Sequence, residues 1–184
     1  MTNDSTIVMI NGSMSSDSFT KKLLENVEDR LNKNGQNTTM IDVRELHLEI
    51  YDPDAPFPTQ LEPVREQLRE ADGVIVGAPE YHGSYTGAIK NFLDYLGFKE
   101  FEQTPIALLT TTGGLKAGTN TLNHLRLVFR NLHGIVIPQQ FAISNKEAPT
   151  SLEFDENINA RLEAFVNAIQ KEVVKKQLYE EWKR

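Results

Sequence analysis

Residues 77–96 read GAPEYHGSYTGAIKNFLDYL. The apolar run Val74 to Val76 leads into this stretch, and residues 79–87 gather proline, glycine and aromatic side chains. From Gly87 onward Ile89, Phe92, Leu93 and Leu96 fall at helical spacing. The stretch therefore reads as the end of a strand, a turn-rich loop and an amphipathic helix.

The same unit recurs along the chain. Ile7 to Ile10, Val74 to Val76, Ile106 to Leu109 and Ile135 to Ile137 are short apolar runs without alternation, as expected of parallel strands covered on both faces. A further strand is predicted over Thr38 to Val43. Between the runs lie helical stripes: Phe19, Leu23, Leu24, Val27 and Leu31, then Leu122, Leu125, Val128, Phe129 and Leu132. Shorter helices are predicted at Leu61 to Glu70 and Gly87 to Leu96, and a long one from Asp155 to Trp182, whose charged end KKQLYEEWKR should protrude or pack on another subunit. Strand and helix in alternation imply βαβ units with right-handed crossovers, hence an α/β doubly wound sheet of about five parallel strands with helices on both faces. Arg44 to Pro63, with four prolines, reads as an irregular surface loop.

Length and composition bound the function. A chain of 184 residues suits a single domain over residues 1–184, and 39% hydrophobic with 24% charged residues is ordinary for a globular protein. A formal net charge of −7 argues against a nucleic-acid partner. The absence of cysteine excludes disulfides and thiolate chemistry and fits a reducing compartment. The start, MTNDSTIVMINGS, has no basic leader, and no run approaches the ~20 apolar residues that span a bilayer. A cytoplasmic protein with no membrane partner is expected.

In such a sheet, ligands bind beyond the carboxyl ends of the strands, where strand order reverses. The loop after the first strand, Asn11 to Thr20, combines glycine, hydroxyls and a helix amino terminus, which suits a monophosphate, although Ser and Asp there also serve as helix caps. It has neither GxxxxGK[ST] nor GxGxxG. The loop after the third strand, Pro79 to Gly87, sets exposed backbone N–H groups beside aromatic side chains, and that after the fourth, Thr110 to Gly114, offers unencumbered backbone donors. Together they suit a phosphate at one end and a planar heterocycle at the other. Tyr81 and Tyr85 can equally cover the sheet edge.

The segment PEYHGSYTGAIKNFLDYL resembles the PEYNxSxPGxLKNxxDxL pattern of the NAD(P)H-dependent FMN reductase family, which includes quinone, chromate and azo reductases, and GGLKAGTNTLNHLRLVF followed by IPQ is similar to another family stretch. The resemblance implies a flavodoxin-like three-layer sandwich with sheet order 2-1-3-4-5. It places the FMN phosphate on Ser13, Ser18 and Thr20, with Ser15 and Phe19 on the same loop. Pro79, Glu80, Tyr81, His82, Gly83 and Ser84 then run along the isoalloxazine, and Thr112, Gly113 and Gly114 lie near its pyrimidine end. Ser15 stands where the family commonly has arginine, His82 where asparagine is usual and Thr86 where proline is usual.

The resemblance further implies hydride transfer from NADPH or NADH to FMN and on to a small-molecule acceptor such as a quinone, an azo compound or free flavin. No side chain need then act as catalyst, because the cofactor carries the chemistry. His82 is a candidate proton donor. His124 and Arg126 are expected in packing or subunit contact, and His47 and His133 stand apart from any acidic cluster, so no metal is expected. A homodimer or homotetramer is implied, with the stripe Ile89, Phe92, Leu93 and Leu96 exposed in a lone subunit. The rival readings are a flavodoxin-type electron carrier, which shares fold and cofactor, and a receiver domain, which needs carboxylates where this chain has Asn11, Gly12 and Ser13.

Overall fold

A computed structural model of the protein describes residues 5–114, 118–147 and 152–183. Five strands, β1 (Thr6–Asn11), β2 (Asn37–Asp42), β3 (Gly73–Pro79), β4 (Pro105–Thr112) and β5 (Ile135–Ser144), alternate with helices α1 (Phe19–Lys33), α2 (Glu62–Glu70), α3 (Gly87–Asp94), α4 (Thr119–Asn131) and α5 (Glu156–Lys183). All neighbouring strands run parallel, in the order β2-β1-β3-β4-β5.

The central strands lack polar alternation because each face has its own cover. Val8, Ile10, Val74, Val76, Ile106 and Leu108 join one core with Leu68 of α2, Phe92 of α3 and Leu125 of α4. Ile7, Met9, Ile75, Ala107 and Leu109 point the other way, into a core with Leu23 and Leu24 of α1 and Leu162 and Phe165 of α5. Odd and even residues of one strand thus serve different cores, and each fully buried Leu, Ile or Phe contributes roughly 1.5–3 kcal/mol of transfer free energy.

Three expectations are corrected. The stripe on α3 is not exposed in a lone subunit: Ile89 and Phe92 are fully buried and Leu93 and Leu96 nearly so, all within the chain's own core. The last strand does not end at Ile137 but runs to Ser144. Its register jumps, Ile106 pairing with Val136 and Leu108 with Gln140, so that the β5 segment holding Pro138 bulges away from the ladder that proline cannot join. The proline-rich loop is not merely irregular. It contains 3₁₀ turns at Val43–Leu46 and Thr59–Leu61 and is pinned to α3, where Asn91 accepts from the Tyr51 N–H at 2.8 Å and donates to the Glu49 carbonyl at 2.7 Å.

Helix α5 follows the expected stripe as far as Val173. Beyond it Val174, Leu178 and Trp182 are exposed, while Lys176 lays its ammonium 2.7 Å from the Ala71 carbonyl at the foot of the sheet. Burial there holds the lysine below its ordinary pKa, with Asp72 and Glu180 opposing the shift.

Candidate functional site

The chain leaves β1 toward β2 on one side and resumes with β3 on the other, so the reversal of strand order lies between β1 and β3. The loops after β1, β3 and β4 leave the carboxyl edge there, and the side chains and backbone between them set the geometry.

The loop after β1 begins with a close approach. The Gly12 N–H donates to the Gly77 carbonyl at 2.8 Å, and a Cβ on Gly12 would lie 2.9 Å from Ile89 Cβ, so the position is restricted to glycine by space. Thr86, the N-cap of α3, accepts from the Ile89 N–H at 3.2 Å and donates its hydroxyl to the Gly12 carbonyl at 2.7 Å. Ser13, Ser18 and Thr20 are buried, Phe19 packs half-buried on the α1 core, and Ser15 is exposed on the outer lip. Ser18 caps α1, accepting from the Lys21 N–H at 3.0 Å. The N–H groups of Asp17, Phe19 and Thr20 make no hydrogen bond to another of the described residues. Donors left open at the positive end of a 15-residue helix are the chemistry that an anion cradle requires.

The loop after β3 is a tight turn. Tyr81 and Ser84 exchange backbone bonds of 2.8 and 3.1 Å, and the two residues between them, His82 and Gly83, have φ of 52° and 79°. Positive φ at both central positions is the type I′ pattern, which glycine meets freely and histidine meets more readily than β-branched residues. Tyr81 and His82 are exposed at its tip. Ser84 Oγ lies 2.9 Å from His124 Nδ1 on α4, and Tyr85 meets the same imidazole edge-on. The Glu80 N–H donates to the Thr111 carbonyl at 2.8 Å, and its carboxylate accepts from Thr121 at 2.8 Å, tying Pro79 and Glu80 to β4 and α4.

After β4, Thr112 donates its hydroxyl to the Gly114 carbonyl at 2.9 Å. Gly113 and Gly114 are exposed, and among the described residues a Cβ on either would meet nothing within 4 Å, so their backbone is unencumbered there. Thr20 and Thr111 face each other across the strand end with their hydroxyl oxygens 2.7 Å apart. The structure thus brings the first, second and third loops together through Thr20, Thr86, Glu80 and Thr111.

Charge is balanced locally. Lys21 pairs with Asp42 at 2.9 Å, and the hydrogen bond and attraction of that carboxylate hold the lysine above its ordinary pKa. Lys22 pairs with Asp17. Among the described residues, no three of His, Asp and Glu gather where they could hold a metal ion. A cleft of about 270 Å³ between α1 and α5, lined by Asn26, Arg30 and Glu163, lies away from these loops.

A sequence model of the NADPH-dependent FMN reductases matches residues 5–148. The chain belongs to that family. It is 41% identical over 86 residues to an FMN-dependent NADPH-azoreductase of Staphylococcus saprophyticus, the match covering 47% of this chain and 45% of that protein. With the same-named protein of Staphylococcus aureus it shares 39% over 84 residues, 46% of this chain and 44% of that one. The matched segment is therefore under half the length of these relatives. Among solved structures, the apo form of an NADH:FMN oxidoreductase superposes with a TM-score of 0.75 at 27% identity, covering 93% of this chain and 89% of the other. The flavoenzyme NAD(P)H:(acceptor) oxidoreductase of Paracoccus denitrificans does so with a TM-score of 0.74 at 20% identity, over 91% and 98%, and shows the shared flavodoxin-like fold.

Within this FMN reductase family the chain's departures acquire a geometry. His82 occupies a left-handed position that asparagine also tolerates. Thr86 supplies a cap and a cross-loop bond that proline, lacking the hydroxyl, does not. Thr86 as a cross-link, the Thr20–Thr111 pair and the Thr121–Glu80 bond are the contacts that sequence reasoning missed. For Thr86 the signal was present, a threonine three residues before an apolar helix position. For the others it was not, since their partners lie tens of residues away.

Proposed function

We propose that this protein is an FMN-dependent oxidoreductase that takes a hydride from NADPH or NADH and delivers electrons to a small-molecule acceptor such as a quinone, an azo compound or free flavin. The observation that carries the reading is the joining of an anion cradle to a row of open glycine backbone by the Thr20, Thr86 and Glu80 contacts. The family membership and the azoreductase names of its relatives support it.

The residues fit FMN. Ser13, Ser15, Ser18, Phe19 and Thr20 would hold the phosphate, with open N–H groups and hydroxyls at a helix amino terminus. Pro79, Glu80, Tyr81, His82, Gly83 and Ser84 would border one side of the ring, and Thr112, Gly113 and Gly114 would approach its polar end with backbone alone. The chemistry that FMN supplies when bound is two-electron exchange with nicotinamide and acceptor. The chain's own task is placement: the Tyr81 to Ser84 turn fixes a wall, Gly113 and Gly114 leave room for close approach, and the buried threonines tie the loops to one another. No side chain is required as acid or base, and His82 is assigned to the turn rather than to proton transfer.

The test is a visible spectrum of the purified protein, identification of the released chromophore, and NADPH and NADH oxidation with added FMN and a quinone. Flavin bound with nicotinamide oxidation supports the reductase. Flavin bound without it points to a flavodoxin-type carrier, and a colourless protein that takes up no FMN overturns both.

We further infer a cytoplasmic homodimer or homotetramer. No helix among the described residues is long and apolar enough to cross a membrane, and the chain has no cysteine. Since the α3 stripe is internal, self-association would use other exposed apolar side chains, among them Leu127 on α4 and Phe98 after α3. A monomer by analytical ultracentrifugation at micromolar concentration would remove this assembly.

A further inference from the structure

The anion cradle contributes hydroxyls and N–H groups but no cation of its own: between Gly12 and Thr20 the charged residue is Asp17. A phosphate monoester carries close to two negative charges at neutral pH and binds most firmly where a charge-assisted donor is present. Among the described residues, three cations stand by the loop. Lys21 is closed on Asp42 at 2.9 Å and Lys22 on Asp17. The third, Arg44, stands on the 3₁₀ turn that follows β2, a turn capped by Asp42, which accepts from the Arg44 N–H at 3.2 Å.

Arg44 crosses from that turn to the phosphate loop. Its Nη1 donates to the Met14 carbonyl at 2.9 Å, while its Nε stands 3.9 Å from Glu45, beyond hydrogen-bond distance. A guanidinium has five N–H donors in a planar fork. One is spent on Met14, and the rest make no hydrogen bond among the described residues. The side chain is 38% exposed, so donors not spent on the Met14 carbonyl remain open to a solvent-borne ligand beside the loop. Met14 and Ser15, beside it, are also exposed.

We propose that Arg44 is the phosphate-recognising cation of this site: it fixes the loop through the Met14 carbonyl and turns its remaining donors to a phosphate monoester held on Ser13, Ser18 and Thr20. The proposal rests on the FMN reading and sharpens it. Specificity for FMN over riboflavin then comes from a residue outside the phosphate loop, more than twenty positions downstream of it.

The experiment compares FMN with riboflavin, which lacks the phosphate. Each is titrated by flavin fluorescence into apoprotein of the wild type, Arg44→Met, Arg44→Lys and Lys22→Met, at low and high salt, with a thermal melt of each variant to confirm folding. Arg44→Met is expected to weaken FMN about ten- to hundredfold, the scale of a lost charge-assisted hydrogen bond, to leave riboflavin within about twofold, and to flatten the salt dependence of FMN binding. Arg44→Lys keeps charge without the fork and should fall between. Equal losses for FMN and riboflavin would show that Arg44 only shapes the loop, and an equal loss in Lys22→Met would show an effect of net charge; either overturns the assignment. If the wild type binds neither flavin, it is the cofactor reading itself that fails.

Discussion

Thr20, in the first turn of α1, and Thr111, near the end of β4, stand 91 positions apart in sequence and share a hydrogen bond of 2.7 Å between buried hydroxyls. Both side chains are almost fully buried, and each hydroxyl is the other's hydrogen-bond partner. Replacing either by valine strands the other, at about 1–3 kcal/mol, whereas replacing both removes the unsatisfied group and restores an apolar contact. Thr20→Val and Thr111→Val should each lower the urea midpoint, and the double variant should lose less than the sum of the two. Additive losses in that cycle would mean that the hydroxyls do not depend on each other.

The glycines of the site divide by what surrounds them. Gly12→Ala places a methyl 2.9 Å from Ile89 Cβ and 3.2 Å from the Gly77 carbonyl, so α3 or the loop must shift, and a loss of about 1–3 kcal/mol is expected in chemical denaturation. Among the described residues Gly114→Ala meets nothing within 4 Å, and it needs no left-handed backbone. Its denaturation midpoint should match wild type while its FMN affinity falls, because the methyl occupies space that a planar ligand needs. A destabilised Gly114→Ala, or one that binds FMN normally, would contradict this reading of the open backbone.

The division between what was legible in the sequence and what was not follows the range of the interactions. The helix of Phe19, Leu23, Val27 and Leu31 was legible because a 3.6-residue stripe is a local signal, and the loop glycines because turns punctuate a chain. The bulge at Pro138 was not. Proline normally ends a strand, and only the pairing of Leu108 with Gln140 shows that the strand resumes beyond it. The burial of Leu93 and Leu96 was likewise hidden, since an apolar stripe reads the same whether it meets its own core or another subunit. Thr111 lies in a loop that the sequence already marked, but its pairing with Thr20, like the bond from Arg44 to the Met14 carbonyl, is a tertiary contact that no local signal announces.

Glu100 gives the fold a pH dependence of calculable sign. Burial alone would push its carboxyl up, but the Gly97 N–H at 2.8 Å, Arg65 at 3.0 Å and Arg69 at 2.7 Å outweigh it and hold the group below its ordinary value of 4.5. With its folded pKa depressed, the group stabilises the protein fully above the unfolded value, and the contribution is lost as pH falls through the folded one. Glu100→Gln should therefore cost about 2–4 kcal/mol at pH 7, leaving two arginines facing a neutral amide, with the gap to wild type narrowing below about pH 4.5. Urea midpoints of both proteins at pH 7, 5 and 3.5 measure this, and a gap that does not change with pH would assign the loss to packing.

His82 separates a backbone role from a chemical one. Its φ of 52° between Tyr81 and Gly83 is left-handed, which asparagine and glycine adopt with little strain, while a β-branched residue costs about 1–2 kcal/mol. If the turn is what matters, His82→Asn should keep the unfolding midpoint, the FMN affinity and the rate of NADPH oxidation. His82→Val should lose FMN affinity by about ten-fold as the turn that carries Tyr81 opens. If instead the imidazole passes a proton, His82→Asn will fall in turnover with its flavin affinity intact. The ratio of the two variants' rates, taken at saturating FMN, distinguishes a residue selected for its φ from one selected for its ring.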